Sequence, residues 1–364
     1  MNKFLLASTA LVASATFAMA DVSLSGSAEM GVFGFDGDGL GAGDGDLQFH
    51  TDIDVTFSMA GETDAGLTFG ASIDLDEEIG DNNADDGGAE SAATRDDSDD
   101  GGATLFVDGA YGRLTIGDVD GAYDFVMEEA IIGGALRDDH EHAGYSGNSG
   151  LDGNYDGQVA LYQYAFGDFS VGASAEIDDD GEDDPVLGLG VRYQGEFAGV
   201  AFGAGLGYQT TDGDDDGDDS DVYGISLSGK MSNGFQAILN YSEYDGFTED
   251  LDGRGNSDDS INVVTGVPVP GVDREIIVDL ENHFGVAVGY EFGNFLVAAN
   301  YGHFDTNGGD LSGYGVVANY DLGGGAALQA GYGHSDIDAD DDTFDGFDAD
   351  RDVDTYSFGI SMSF

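Results

Sequence analysis

Residues 355–364 read TYSFGISMSF, and their side chains alternate strictly between two kinds. Every even-numbered position from 356 to 364 is large and apolar, while every odd-numbered position is Thr, Ser or Gly. A period of two is that of a β-strand, in which successive side chains point to opposite faces. This stretch therefore predicts a strand with one apolar face and one polar face.

The same alternation recurs at residues 283–292 and 47–59. In the latter, the second face carries His50, Asp52 and Asp54, which makes it too polar for a packed core. In a soluble sandwich one sheet face packs on a core and the other meets bulk water. Alternation alone therefore fits either a sandwich or a membrane barrel, and the connections between strands have to distinguish them.

Sixteen stretches of the chain have strand character. They lie at residues 22–35, 46–60, 64–77, 103–109, 112–118, 158–166, 168–178, 186–196, 199–210, 220–231, 234–245, 282–292, 294–304, 312–321, 325–336 and 353–364. Their connections alternate between tight Gly-containing turns and longer segments rich in Asp. This layout is typical of outer-membrane barrels. The sequence predicts an all-β fold, a transmembrane antiparallel 16-stranded β-barrel with short periplasmic turns and long acidic external loops.

The acidic residues are concentrated in the long connections. The chain has 74 acidic and 9 basic residues, a formal net charge of -65. Residues 178–184, 212–221 and 336–354 hold six, seven and ten acids, respectively. Such loops are tolerated in water but not at lipid depth, so we expect them to face the external medium. Nucleic acid is a poor partner for this chain because its binding depends on basic surfaces.

The first 20 residues have the pattern of an export signal. Lys3 precedes an apolar stretch, and Ala18-Met19-Ala20 has the small-residue form of a cleavage site. We therefore expect a signal peptide at residues 1–20 and an outer-membrane barrel at residues 21–364, in the cell outer membrane of a Gram-negative bacterium. The absence of Cys excludes a disulfide-stapled secreted module.

Several short passages together resemble the sixteen-stranded general diffusion porins, particularly those of α-proteobacteria. They are VSLSG at residues 22–26, DAGLTFGA at 64–71, GAYGRLTIGD at 109–118, YDLGGG at 320–325 and the final Phe364. The resemblance covers nearly all of the chain after residue 20. It implies a homotrimer surrounded by outer-membrane lipid and lipopolysaccharide. It also implies that the loop after the fifth strand, residues 119–157, folds into the lumen as a constriction loop.

Charged residues of this loop and of the wall are the candidate pore residues. The acidic side of the constriction is predicted to comprise Asp118, Asp120, Asp124, Glu128, Glu129, Asp138, Asp139 and Glu141. Strand phase points Arg113, Arg192 and Lys230 inward as a basic side that faces them. Opposed charges across a narrow opening would orient dipolar solutes. Inward glycines such as Gly203, Gly205 and Gly207 are expected to leave room in the channel.

Metal binding is a secondary hypothesis. Asp212, Asp214 and Asp216 match the start of a calcium loop, but the twelfth position is Tyr223 where Glu is required. We therefore expect no EF-hand and no required cofactor, with weak Ca²⁺ or Mg²⁺ binding at the external acidic loops as a possibility. The run at residues 137–142, RDDHEH, also brings imidazoles and carboxylates together.

The sequence favours a water-filled channel for passive diffusion of ions and small hydrophilic solutes, with cations preferred because the acidic mouth attracts them. It does not favour an enzyme, since no nucleophile and base pattern stands out. Two alternatives stay open. One is a substrate-selective outer-membrane uptake channel, and the other is an acidic secreted calcium-binding β protein.

Overall fold

The computed structural model describes residues 21–39, 45–78, 102–152, 158–177, 184–212, 219–246, 248–250, 277–339 and 351–364. The predicted signal peptide at residues 1–20 lies outside these ranges, and so do most of the strongly acidic stretches. Within the described residues, no helix is long and apolar enough to cross a membrane.

Strands make up almost all of the described chain. Their bounds are β1 Asp21–Gly39, β2 Gly45–Glu62, β3 Thr68–Glu78, β4 Ala103–Gly109, β5 Gly112–Asp118, β6 Gln158–Phe166, β7 Phe169–Glu176, β8 Val186–Phe197, β9 Val200–Thr211, β10 Ser220–Met231, β11 Phe235–Asp245, β12 Thr248–Asp250, β13 Ile277–Phe292, β14 Phe295–Thr306, β15 Gly309–Gly323, β16 Ala326–Ala339 and β17 Arg351–Ser363. Between β5 and β6 lie a helix α1, Ala122–Val126, and a 3₁₀ turn, Leu136–Asp138.

The strands form one closed antiparallel sheet. Each long strand pairs with its neighbours in sequence, and β1 closes the ring by pairing with β17, from Ser27 opposite Ser363 to Gly39 opposite Arg351. The short β12 only extends the pairing of β13. Among the sixteen long strands that the structure describes, closure gives every strand a partner on both sides. The predicted fold, an antiparallel barrel with sixteen strands in its wall, is confirmed.

The wall is apolar outside and polar inside. On β10, Tyr223, Ile225 and Leu227 are exposed on the outer face, whereas Gly224 and Ser226 point inward and are buried. The other strands repeat this pattern, so that large apolar side chains dominate the exposed residues and Ser, Asn and Gln are buried inside. A continuous apolar exterior of this size requires lipid around it, because water would make it aggregate.

Aromatic side chains line the short-turn end of the barrel, which we call the turn end. Phe166 stacks on Phe169 across one turn with 5.8 Å between ring centroids. Phe292 and Phe295 repeat this contact at 5.4 Å. The opposite end, here called the loop end, has its own outward pair of Tyr208 and Tyr223 at 4.9 Å. Aromatic rings at both ends suit the two water–lipid interfaces of a barrel.

Glycine makes the tight turns possible. The connection from β6 to β7 is Gly167-Asp168 and the connection from β13 to β14 is Gly293-Asn294. Gly167 has φ +63° and Gly293 has φ +62°. This left-handed conformation strains residues with a Cβ and matches the twist of two-residue hairpins. The turns therefore keep consecutive strands adjacent and in register.

A hydrophobic core lies inside the barrel, where the connection from β5 to β6 folds back. We call described residues 119–152 of this connection the inner loop. Tyr123 and Val126 of α1 are fully buried, and Leu151 is buried as well. They pack with inward side chains of the wall, including Val222 and Phe304. The inner loop therefore lies within the lumen, against the wall, instead of projecting from the loop end.

The two faces of the wall should lose stability to different extents when a charge is added. Leu227→Arg places a guanidinium against lipid and should lower the free energy of unfolding by about 2–4 kcal/mol near the middle of the bilayer. Gln236→Arg adds the same charge on the lumenal side, near Glu291, and should lower the free energy of unfolding much less. Urea unfolding in lipid vesicles measures both variants. Equal losses would contradict the assigned faces.

Candidate functional site

The inner loop is bound to the wall by hydrogen bonds along its length. Near its start, Ser174 on β7 accepts a bond from the backbone N–H of Ala122 at 2.9 Å. In its middle, the side-chain amide of Asn319 on β15 donates to the carbonyl of Gly134 at 2.7 Å. The hydroxyl of Ser357 on β17 donates to the carbonyl of Leu136 at 3.1 Å. The loop thus follows the inner wall from β7 to β17.

Sequence reasoning did not single out these polar wall residues, although the sequence contains their signal. They occupy inward positions of strands, where the period-two pattern predicts small or polar side chains. Their binding to one particular loop backbone depends on where that loop crosses the wall. Further wall residues that bond to the inner loop are Gln209, Ser226, Ser242, His283, Asn300, Ser335 and Thr355.

Inward glycines make room for this loop. A Cβ on Gly205 would lie 2.0 Å from the carbonyl oxygen of Val126, and one on Gly207 would lie 2.6 Å from the ring of Tyr123. The expectation that these glycines leave open channel space is wrong for Gly205 and Gly207, because the loop backbone and its aromatic ring fill that space. Around Gly203 a Cβ would meet chiefly the hydroxyl of Ser228, at 2.4 Å.

Part of the lumen between the inner loop and the wall is a cavity of about 1070 Å³. Four of the eight predicted acidic residues line it, together with two of the three predicted basic residues and Glu291. The four are Asp120, Asp124, Glu128 and Glu129, and the two basic residues are Arg192 and Lys230. Gly293 of a tight turn also lines the cavity, which therefore extends toward the turn end.

The two basic residues of this cavity each contact a carboxylate. Arg192 donates to Glu128 of the inner loop at 2.8 Å and to the carbonyl of Phe125 at 3.2 Å. Lys230 contacts Glu291 of the wall at 2.5 Å. Arg192 therefore binds the loop directly and does not face it across an opening. This contact ties the loop to β8 and neutralises part of the local charge.

Arg113, the third basic residue, lies on a different part of the wall. Its guanidinium carbon lies 3.9 Å from the ring centroid of Phe106, and its Nε donates to the hydroxyl of Thr115 at 3.2 Å. It therefore points inward as predicted, on β5. The ring face partly balances its charge through a cation–π contact.

The remaining acidic residues of the prediction lie elsewhere. Asp118 is exposed at the loop end of β5, and Asp138 is exposed at the 3₁₀ turn. Asp139 is buried, and its carbonyl accepts a bond from the hydroxyl of Thr355 at 2.9 Å. Glu141 follows within the same segment and is half-buried. The structure thus places four of the eight acids around the cavity and three in the segment near β17, with Asp118 apart from both at the end of β5.

The 3₁₀ turn is held by an aromatic contact. The guanidinium carbon of Arg137 lies 3.8 Å from the ring centroid of Phe33 on β1. The backbone N–H of Arg137 donates to Glu29, also on β1, at 3.3 Å. Arg137 has φ +54°, a conformation that costs energy for a residue with a Cβ. The contacts with β1 compensate for that cost.

Burial changes the charge of the inner loop. Loss of solvent, reinforced by the carboxylates of Asp120, Glu129 and Asp152, raises the pKa of Asp124 to about 8. Loss of solvent also raises the pKa of Glu141 to about 8. A carboxyl group with such a pKa is mostly protonated at neutral pH. The loop therefore carries less negative charge at pH 7 than its composition indicates.

The predicted cation site at the external loops is only partly described. Asp212 is exposed just after β9, while Asp214 and Asp216 lie outside the described residues. One group of possible metal ligands is present in the described part of the chain, and sequence reasoning missed it. His303, Asp305 and Asp310 have ligand atoms within 4.8 Å of one another on the outer face near the loop end. The 137–142 run does not form such a group.

A closed wall that is apolar outside and polar inside, with a loop folded into its lumen, defines a transmembrane β-barrel channel. Residues 7–341 and 278–364 match the family of Gram-negative porins, and the chain belongs to that family. The family is one of outer-membrane channels and not an enzyme class. The alternative of a secreted calcium-binding β protein is therefore wrong.

The chain resembles individual porins over most of its length. It is 29% identical to a porin of Rhodobacter capsulatus over 337 residues, which cover 87% of this chain and 95% of that protein. A porin structure refined at 1.8 Å resolution matches with a TM-score of 0.64 and 25% identity, covering 94% of this chain and 100% of that one. A triple mutant of the Rhodopseudomonas blastica porin matches in fold, with a TM-score of 0.61 and 18% identity over 94% of this chain and 100% of that one.

Two glycines on one strand face predict different effects on the channel. Gly205→Val should displace the inner loop at Val126 and change single-channel conductance, because Cβ has no space beside the carbonyl oxygen. Gly203→Val is the matched control, since its Cβ meets only a serine side chain that can rotate and a more distant carbonyl at 3.9 Å. Planar-bilayer recordings of both variants test this. An unchanged conductance in Gly205→Val would show that the wall does not set the position of the loop.

Proposed function

We propose that this outer-membrane porin forms a water-filled channel for passive diffusion of ions and small hydrophilic solutes, with a preference for cations. The balance of charge in the cavity supports this proposal. Five carboxyl groups and two basic groups line it. The carboxyl groups are those of Asp120, Asp124, Glu128, Glu129 and Glu291, and the basic groups are those of Arg192 and Lys230. A lumen with an excess of acids attracts cations and repels anions.

The wall away from the inner loop adds to the negative field. Asp52 and Asp54 share the inward phase of β2, where Asp54 accepts a hydrogen bond from Ser27. Asp74 on β3 accepts a bond from Thr56 at 2.9 Å. Asp108 on β4 lies opposite Arg113 in the strand register. Acids therefore lie both around the cavity and on the wall. This distribution favours selection of ions by charge. It does not favour the arrangement suggested by the sequence, in which solutes are oriented between an acidic side and a basic side.

Selection by such a field weakens in salt. The Debye length falls to roughly 4 Å at ~0.5 M, so exposed carboxylates then act only on ions close to them. Half-buried pairs such as Arg192 and Glu128 are screened less. We therefore expect that cation preference is strong in dilute media and modest in concentrated salt.

A substrate-selective uptake channel is the second candidate function. The polar and charged lining of the cavity could bind one solute class, and saturable block of conductance by a single solute would favour this function.

The proposed partners are small hydrophilic solutes and ions, outer-membrane lipid and lipopolysaccharide, and two further copies of the chain in a homotrimer. The apolar outer face supports contact with lipid and with neighbouring barrels.

Cation preference and cation binding are tested together by planar-bilayer recordings in a salt gradient. The reversal potential should have the sign of cation flow, and raising the salt concentration should reduce it. The same recordings with a chelator test weak Ca²⁺ or Mg²⁺ binding at Asp212, Asp214 and Asp216, which we propose as an addition to the channel and not a requirement. A reversal potential with the sign of anion flow would falsify the proposal.

The raised pKa of Asp124 predicts a pH dependence of selectivity. Below its pKa of about 8 this carboxyl group is neutral, and above that pH it becomes an additional negative charge beside the cavity. Cation preference should therefore increase as the pH rises from 6 to 9. Reversal potentials of the wild type and of Asp124→Asn measure the effect. The variant should lose part of the increase, and an equal increase in both proteins would assign it to other groups.

A further inference from the structure

Two histidines hold the two backbone polar groups of Gly144 on the inner loop. Nδ1 of His142 accepts a hydrogen bond from the Gly144 N–H at 3.1 Å. Nε2 of His283 on β13 lies 3.0 Å from the Gly144 carbonyl oxygen. Both imidazoles are buried, with exposed fractions of 8% for His142 and 1% for His283. Together they hold the loop at one point of the wall.

The loop and wall backbones touch at this point. A Cβ on Gly144 would lie 2.1 Å from the carbonyl oxygen of Gly302 on β14, and a Cβ on Gly302 would lie 1.7 Å from the carbonyl oxygen of Gly144. Just before Gly144 in the loop, Ser335 accepts a bond from the Ala143 N–H at 3.0 Å, and Asn300 donates to the carbonyl of His140 at 3.3 Å. The backbone of the inner loop therefore contacts the backbone of β14 at Gly144. The position of the loop at this point depends on the groups that hold Gly144.

The partners of the two imidazoles define their protonation. A carbonyl oxygen can only accept, so His283 must carry its proton on Nε2 and leave Nδ1 bare. Nδ1 of His142 accepts from an N–H and must be bare, so its proton is on Nε2. Protonation of His142 would convert the accepting nitrogen to a donor and break the bond to Gly144. Protonation of His283 would add a buried N–H where Nδ1 has no partner in the described structure.

We propose that His142 and His283 form a pH-sensitive clamp, which holds the inner loop against the wall while both are neutral and releases it when the external medium becomes acidic. This inference rests on the proposed function, a water-filled channel whose lumen holds the inner loop. The ring of His283 also packs on Phe304, with 4.3 Å between the ring centroids.

The surrounding groups do not offset a positive charge at the clamp. The titratable groups around it are Glu129, Asp138, Asp139, His140, Glu141 and Tyr145 on the inner loop, Tyr244 on β11, His303 on β14, His334 on β16 and Asp354 on β17. The strongest charge effects on His142 come from the other imidazoles, His283, His140 and His334. Glu141 is neutral in acid because its pKa is raised to about 8. Asp354 contacts His334 instead, at 2.8 Å.

The direction of the response follows from linkage. Loss of solvent lowers the pKa of His142 in the docked loop to about 4, against about 6.5 for a free imidazole. Docking is thus strongest above about pH 6.5 and weakens as the pH falls below it, because only the released loop takes up the proton. The loss is up to about tenfold per pH unit for His142, or about 300-fold between these two values.

A single introduced thiol tests the clamp. The chain has no Cys, so Ser146→Cys adds one thiol two residues beyond Gly144, at a side chain that is 7% exposed in the docked loop. The rate of modification by a small disulfide reagent is measured on the barrel in lipid vesicles at pH 7.5 and 4.5. Each rate is divided by that of a free cysteine peptide at the same pH. The clamp predicts that this ratio rises at least tenfold in acid.

Conservative variants separate titration from packing. In the Ser146→Cys background, Asn at position 142 places an acceptor oxygen where Nδ1 stands, and Gln at position 283 places a donor nitrogen where Nε2 stands. His142→Asn with His283→Gln should therefore keep the thiol protected at both pH values. His50→Gln, on β2 and not among the titratable groups around the clamp, is the matched control and should retain the acid response. Each single variant is measured as well, and heat-modifiable gel migration verifies that every protein is a folded barrel.

Two results would overturn the clamp. One is no rise in the ratio for the parent protein in acid, and the other is an undiminished rise in the folded variants at positions 142 and 283. Thiol modification does not require ion flow, so a failure of cation selectivity would leave this test intact. Conversely, a failure here would leave the proposed channel function standing.

Discussion

Pairing of the backbone is the constraint on which the rest of this structure depends. A polar backbone group at lipid depth has no water to bond to, so each strand must be paired on both sides. The pairing of β1 with β17 closes the ring and satisfies this condition. Once sixteen strands close, the ring is too wide for wall side chains alone to fill it. The interior is therefore available to water and to a loop.

The inner loop occupies that interior as a docked element with its own core. Its apolar residues Tyr123, Val126 and Leu151 pack on inward side chains of the wall, and its backbone bonds to wall residues such as Ser226 and Asn319. Glycines such as Gly205 and Gly302 allow the loop backbone to approach the wall closely. The wall thus determines the position of the loop over a long path, in place of one or two anchoring contacts.

Docking has an electrostatic consequence. Carboxyl groups that the loop carries into the lumen lose solvent, and their pKa values rise, as at Asp124 and Glu141. The bases Arg192 and Lys230 are meanwhile engaged by Glu128 and Glu291. The effective charge of the lumen is therefore set by burial and pairing as much as by composition. A formal charge of -65 indicates the sign of the field but not its local strength.

The sequence by itself determined the wall: period-two alternation, glycine turns and an even strand count specify which residues face lipid, and the strand bounds agree with the prediction within a few residues. Strand phase also placed Arg192 and Lys230 inward. Only the tertiary structure decided the contacts of the inner loop, for example that Arg192 binds Glu128 and that His142 and His283 meet at Gly144. The physical reason is that strand alternation is a local property of the chain, whereas the path of a loop through a lumen depends on packing between residues far apart in sequence.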